Sequence, residues 1–356
     1  MNKKIHNIFI SCLLLTIGLL PLQVQAGNPD RQGEAGAYEL LMNPWARSAG
    51  LHTISTSMIR GVEALRLNPA GLGRITSTEV LFGHARYLEG TDIKMNAFGL
   101  AKKVGKNGTF GMSIMSLDIG EIPVTTTNQP EGTGATFSPN FFHLALSYAH
   151  TFENKISVGI TLRAISESIA DLSAFGLGID AGVQYVTGEE ENFKFGISLR
   201  NIGSRMSFGG QGLSFATENP DGTLVYDITV SQRSAEFELP SVLNIGMSYD
   251  FYVTPKNRLT VLGNFTSNSF ARDQLGAGVE YGLNEMFMLR AAYKLEVGLS
   301  ADRQAEKSVY SGLSAGIGLD VPLNKKEANN RFGIDYAYRA TQPFSGTHNI
   351  SVRISL

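Results

Sequence analysis

Six histidines, His6, His52, His84, His143, His150 and His348, are where general-base chemistry near neutral pH would have to begin in this sequence. A hydrolase built on a strand surface would place Ser two residues from His, so that both point from one face and the base reaches the hydroxyl. None of the six has Ser at that position. His143 and Ser147 share a face four residues apart, about 13 Å along a strand and beyond hydrogen-bond reach. Metal chemistry lacks ligands as well. The single cysteine, Cys12, excludes a disulfide scaffold and a thiolate cluster, and no His/Asp/Glu group falls at ligand spacing. Gly176-Leu177-Gly178 and Gly316-Ile317-Gly318 have glycines as phosphate cradles do, but both sit in alternating stretches that open no helix. Glu189-Glu190-Glu191 is expected to be a solvated turn. The sequence therefore predicts no catalytic residue, no metal site, no cofactor and no enzyme.

Charge gives no nucleic-acid footprint, since 30 Lys+Arg stand against 32 Asp+Glu. With 17% charged and 43% hydrophobic residues the chain is not a disordered acidic or basic tail. Its 39 glycines are an excess that needs a structural reason.

The first 26 residues read as a secretory signal peptide. Lys3 and Lys4 form the basic start, the stretch from Ile8 to Leu20 carries no charge and is too short to span a bilayer, and Val24-Gln25-Ala26 supplies small residues for cleavage. Beyond it no apolar run approaches the ~20 residues of a membrane helix, so a membrane location would have to be reached by strands.

Strands are what the pattern predicts. In 174–187, Phe175, Leu177, Ile179, Ala181, Val183 and Tyr185 fall on one face and Gly176, Gly178, Asp180, Gly182 and Gln184 on the other. The same alternation places strands near 77–88, 92–102, 109–118, 141–152, 156–168, 174–187, 193–201, 241–252, 258–267, 273–282, 286–296, 310–321, 331–340 and 348–356. These fourteen are close to the ~9–11 residues of a tilted membrane strand. Alternate connections are short, with turn chemistry such as Gly-Lys-Asn-Gly, whereas every long connection (119–140, 202–240, 297–309) belongs to the other set. The alternating stretch 224–230 is assigned to a long loop, because a further strand would invert this parity.

A soluble sandwich also alternates, so the faces must decide. The polar faces are Gly, Ser, Thr, Asn and Gln with isolated charges (Arg163, Asp180, Arg200, Glu280, Arg290, Lys294, Asp335, Arg339), as in a lumen where charges pair. Large apolar residues expected to point inward are few: Phe82, Leu262 and Met288. Tyr87, Tyr148, Tyr185, Phe251, Tyr281, Tyr293 and Tyr338 stand at strand ends as an interfacial girdle would. The predicted fold is an all-β, 14-stranded antiparallel transmembrane barrel over 77–356. It is preceded by 27–76, a segment without alternation read as an N-terminal plug or hatch. The expected surroundings are outer-membrane lipid of a diderm bacterium, and the last strand ends on Leu356 rather than an aromatic residue.

Within that segment, Glu39-Leu40-Leu41-Met42 can start a short helix stopped by Pro44, and Asn68-Pro69-Ala70-Gly71-Leu72 reads as a turn in which Asn68 is held extended and Gly71 allows an unusual backbone angle. The stretch from Gly36 to Gly50, with Ala46-Arg47, followed by Asn68-Pro69-Ala70-Gly71-Leu72, resembles the opening of the PorV/PorQ family, and Glu238-Leu239-Pro240-Ser241 resembles the family's lead into strand eight. That family is similar to FadL-like barrels. The resemblance implies 14 strands, an N-terminal hatch that includes Ala46, Arg47, Asn68, Pro69, Ala70, Gly71 and Leu72, and one of two roles. One is service in type IX secretion, with secretion-machinery proteins and exported cargo as partners. The other is FadL-like passage of a hydrophobic ligand. The polar inward faces and long loops favour the first, with 125–134 in loop 119–140 as the expected partner contact.

Overall fold

The computed structural model describes residues 27–356, apart from 154, 220–225, 300–307, 310, 325–326 and 342–343. The expected signal peptide lies outside the described residues.

Fourteen antiparallel strands form one closed sheet: β1 Thr78–Arg86, β2 Lys94–Val104, β3 Gly108–Asp118, β4 Asn140–Phe152, β5 Ile156–Ile169, β6 Leu172–Thr187 and β7 Phe193–Gly203, followed by β8 Val242–Thr254, β9 Asn257–Asn268, β10 Gln274–Leu283, β11 Phe287–Glu296, β12 Gly312–Asn324, β13 Glu327–Arg339 and β14 Thr347–Ser355. Each pairs with its sequence neighbours, and β14 returns to β1 with Glu79 opposite Ser355 and Arg86 opposite His348. Closure removes both sheet edges, so the wall's backbone groups are paired without water, as a lipid environment demands.

Alternation sets the two faces. Along β6 the burial alternates residue by residue, with Phe175 63% and Leu177 57% exposed outside and Asp180 1% exposed inside. All eight isolated charges expected to face the lumen are buried. Connections β2–β3, β4–β5, β6–β7, β8–β9 and β10–β11 are tight, and Gly105, Glu153 and Asn284 take positive φ there. The long connections gather at the other end. The stretch expected to stay out of the wall does so: Asp227–Ser231 pairs with Ser214–Glu218 in a separate hairpin, its first residues lying outside the described ones.

Three expectations need correction. Phe82 is 53% exposed and packs at a tilt against Phe98 outside, ring centres 5.0 Å apart, and it is Leu81 that points in, against the cluster holding Trp45 and Val62. Val80, Leu81 and Phe82 are all apolar, so alternation alone cannot assign the faces there. Tyr87 is not in the girdle. It lies past the end of β1, 3% exposed, with the Arg339 guanidinium 5.8 Å from its ring centre. Gly71 does not have a positive φ, and its reason is space: a Cβ there would sit 2.2 Å from the Ile59 carbonyl oxygen.

Candidate functional site

Residues 35–75 run along the inward faces of the strands, from the long-loop end, where Asn28 N donates to Ala271 O, to the short-turn end, where Arg74 donates to Lys155 O at 3.1 Å. Most of these side chains are buried. The segment has no long helix or strand and satisfies its backbone piecemeal, using side chains of the wall as partners.

Close approach depends on the inward glycines. Cβ atoms at Gly159 and Gly182 would lie 2.3 Å from the Pro69 carbonyl carbon and 2.0 Å from Asn68 Oδ1. Gly50 and Gly316 meet backbone to backbone, a Cβ on either lying 3.0 Å from the other's Cα. Part of the glycine excess is thereby explained: the inner wall has been pared down where the segment crosses it.

The seven residues singled out in the segment fall in two places. Ala46 and Arg47 begin the short helix Ala46–Ala49, whose Ala46 N donates to Ser351 Oγ of β14 at 2.8 Å. Arg47 is buried, with Glu63 and Glu280 among its charged neighbours. Asn68 is extended, with φ −154°, and caps the 3-10 turn Pro69–Arg74 by accepting from Ala70 N at 3.2 Å. Its carboxamide also donates to Thr56 O at 2.9 Å and to Val183 O of β6 at 3.2 Å, so one side chain ties two stretches of the segment to the wall. Pro69 and Ala70 lie against Gly159, and Leu72 packs beside Leu65 over Gly111. The element there is a capped 3-10 turn, not a simple turn into the first strand.

Several contributors were not legible in the sequence. Gln184 of β6 donates to Thr56 O at 3.1 Å and Ile59 O at 2.9 Å. Glu79 of β1 accepts from Val62 N at 2.7 Å, and Glu63 accepts from Ser48 N at 3.0 Å. Burial pushes the Glu63 carboxyl up, the Arg47 guanidinium pulling the other way. Arg66, held well below its ordinary value by burial and by Arg163 and Arg200, donates to Glu39 O at 2.6 Å. Glu39 itself is 4% exposed, with His143 of β4 at 3.0 Å and Glu167 of β5 within hydrogen-bond reach. Burial pushes its carboxyl up to about 7.

The wall carries an ionic belt of its own. Arg290 of β11 bonds Glu280 of β10 and Asp335 of β13, both at 2.6 Å, and Arg258 of β9 bonds Glu280 at 3.1 Å. Arg353 and Arg331 share Asp320 at 2.6 and 2.8 Å, and Arg163 pairs with Asp180 at 2.5 Å while donating to Leu65 O at 3.2 Å. These are charge-assisted bonds between largely buried groups, and they cross-link neighbouring strands of the wall. Among the described residues no group of three His, Cys, Asp or Glu could hold a metal ion. His143 and Ser147 have separate partners, Glu39 and Thr161.

The outer face is uneven. On β8, Leu243, Ile245, Met247, Tyr249, Phe251 and Val253 all face out, about 33 Å of apolar strand. On β2 only Phe98 and Leu100 separate Asn96 from Lys102, about 20 Å along a tilted strand, against the ~25 Å apolar band of outer-membrane barrels. Beside Asn96 stand His84, whose Nδ1 is 2.8 Å from Asn96 Oδ1, and Ser116.

The family profile described as "Type IX secretion system membrane protein PorP/SprF" matches residues 64–354. No curated protein matches the chain. Solved structures with the same fold include the Pseudomonas putida toluene transporter TodX, at TM-score 0.53 and 13% identity over 88% of this chain and 97% of that one. The Ralstonia pickettii toluene transporter TbuX matches at 0.54 and 11% over 88% and 97%, and a Pseudomonas aeruginosa FadL homologue at 0.51 and 12% over 88% and 98%. At these identities the likeness is one of fold.

Proposed function

Because the chain belongs to the type IX secretion system membrane protein PorP/SprF family, we propose that it is a non-catalytic outer-membrane barrel, closed by its own N-terminal segment, that serves protein export as an adaptor. The long loops then face outward from the cell and the short turns face the periplasm. The observation that carries this reading is the way residues 45–72 are bonded to the inner wall: Ala46 to β14, Val62 to β1, and Asn68, Thr56 and Ile59 to β6. A segment strapped at so many points acts as a plug, and the barrel works through its surfaces.

Two surfaces suit protein partners. The exposed loop between β3 and β4 includes 125–134, and the narrow apolar band around His84, Asn96 and Ser116 would leave polar groups facing lipid unless another secretion component covers them. The PorV/PorQ-like opening supports a role close to exported cargo. FadL-like passage of a hydrophobic ligand is the alternative, supported by fold likeness. It is disfavoured by a lumen of paired charges and hydroxyls.

Purification in mild detergent after cross-linking in whole cells tests the proposal. Recovery with secretion-machinery proteins supports it. Recovery alone with bound fatty acid or aromatic hydrocarbon would support transport and overturn the adaptor role.

A further inference from the structure

At the long-loop end, between the N-terminal segment and the wall, a cavity of about 350 Å³ is lined by side chains of β7–β11 and β13. Three cations border it, and all are buried: Arg200 is 7%, Lys294 7% and Arg339 3% exposed. The charged groups around Lys294 are Arg339, Arg200 and Glu296, and Glu296 is already accepting from Ser308 N at 2.9 Å. The Lys294 ammonium makes no hydrogen bond among the described residues. Nε of Arg200 and of Arg339 is unpaired too, Arg200 spending one Nη2 on Leu40 O at 3.2 Å.

Elsewhere on the inner face of the wall the arginines are placed differently. Arg163, Arg290, Arg331 and Arg353 each meet a carboxylate within 2.8 Å. Glu296 beside Lys294 and Asp180 beside Arg200 offset only part of this buried positive charge, and donors left without partners along one cavity fit an anion better than any neutral group. Asn244, Thr266 and Gln274 add amides and a hydroxyl on one side of the cavity, which suit a hydroxylated body more than a hydrocarbon chain.

We propose that this cavity binds the carboxylate or phosphate of a small hydroxylated molecule, an anionic sugar, with Lys294 and Arg339 as the principal charge partners and Arg200 as the third. The sugar is either free in solution or the headgroup of a glycolipid in the outer leaflet. The site stands on geometry alone and does not depend on the adaptor role.

Calorimetric titration of the full chain in a polyoxyethylene detergent, with glucuronate, glucose 6-phosphate and neutral glucose, tests the site. The two anions bind, glucose does not, and Lys294→Gln lowers affinity about tenfold or more, as loss of one charge-assisted bond would. Nanodiscs with and without a phosphorylated glycolipid separate the sources. A headgroup site shows suppression of the sugar-phosphate signal by that lipid, and a free-sugar site shows none. Equal anion binding by Lys294→Gln, or binding of neither anion nor lipid, overturns the proposal. A check on the unaltered chain covers failure of the variant to fold: glucose 6-phosphate slows acetylation of Lys294 and glucose does not. Equal rates with the two sugars overturn it as well.

Discussion

The Oε1 atom of Glu39 lies 3.0 Å from Nε2 of His143, across 104 residues of sequence, in the place where the N-terminal segment leaves the long-loop end. With the proton on Nε2 the ring donates to the carboxyl, and Glu167, Arg66, Arg163 and Asp180 complete the charged surroundings. Burial raises the Glu39 carboxyl to about 7 from its ordinary 4.5. A raised carboxyl stabilises the docked state fully below the unfolded value, and that contribution is lost as pH climbs through the folded one. The segment is therefore expected to loosen as pH rises from about 4.5 through 7, by on the order of 3 kcal/mol. Amide exchange across 38–42 should quicken over that range in the native chain and respond less in Glu39→Gln, where the neighbouring Glu167 carboxyl remains. A native chain with no pH response would refute this account.

Gly159 and Gly182 make a steric prediction that separates segment from wall. Gly159→Val pushes side-chain carbons into Pro69, already 2.3 Å from an added Cβ, while the outward face of β5 is untouched. Overpacking of this kind costs about 1–3 kcal/mol or more when the neighbour is backbone. The variant should keep the heat-modifiable migration of a folded barrel, yet residues 38–75 should become open to protease. Loss of the barrel itself, or protection equal to the native chain's, would count against independent docking.

The wall was readable in the sequence because lipid and lumen impose opposite demands on successive residues. β6 shows this for sixteen residues, Leu172 to Thr187, with hardly an exception. Where that contrast fails, so does the reading: both faces of β1 carry apolar side chains near Phe82, and alternation does not say which of them points inward. The capped Asn68-Pro69 element was partly visible, since backbone limits before proline act locally. Glu39, Glu63 and Arg66 carried no signal. Their partners His143, Ser48 and Glu39 O are set by how the segment threads a closed sheet, which no spacing along the chain encodes.

Glu280 sits between Arg290 at 2.6 Å and Arg258 at 3.1 Å, itself 0% exposed. Glu280→Leu leaves two guanidinium groups facing apolar carbon, and removing one partner of a buried ion pair typically costs about 3–5 kcal/mol. The variant should unfold at clearly lower urea in detergent. With Arg290→Leu added, the loss should fall short of the sum of the two single losses, because both changes delete the same Glu280–Arg290 bond, although Asp335 then loses its Arg290 partner too. Additive losses would mean that the two side chains act separately.

His84 and Asn96 supply the clearest division between stability and partnership. Both are outward, bonded to each other at 2.8 Å, on the side where the apolar band is shortest. Replacing both with Leu lengthens that band by one row and removes polar groups from the lipid boundary, so the isolated barrel should be at least as stable as before. If this patch is covered by another secretion component, the same change deletes the hydrogen bonds that such a partner would satisfy. Cross-linked recovery of the partner should then fall several-fold while the amount of folded barrel in the membrane holds or rises. A barrel destabilised by His84→Leu/Asn96→Leu would show that the pair serves the fold alone, and unchanged partner recovery would move the docking surface away from β1–β3 toward the long loops.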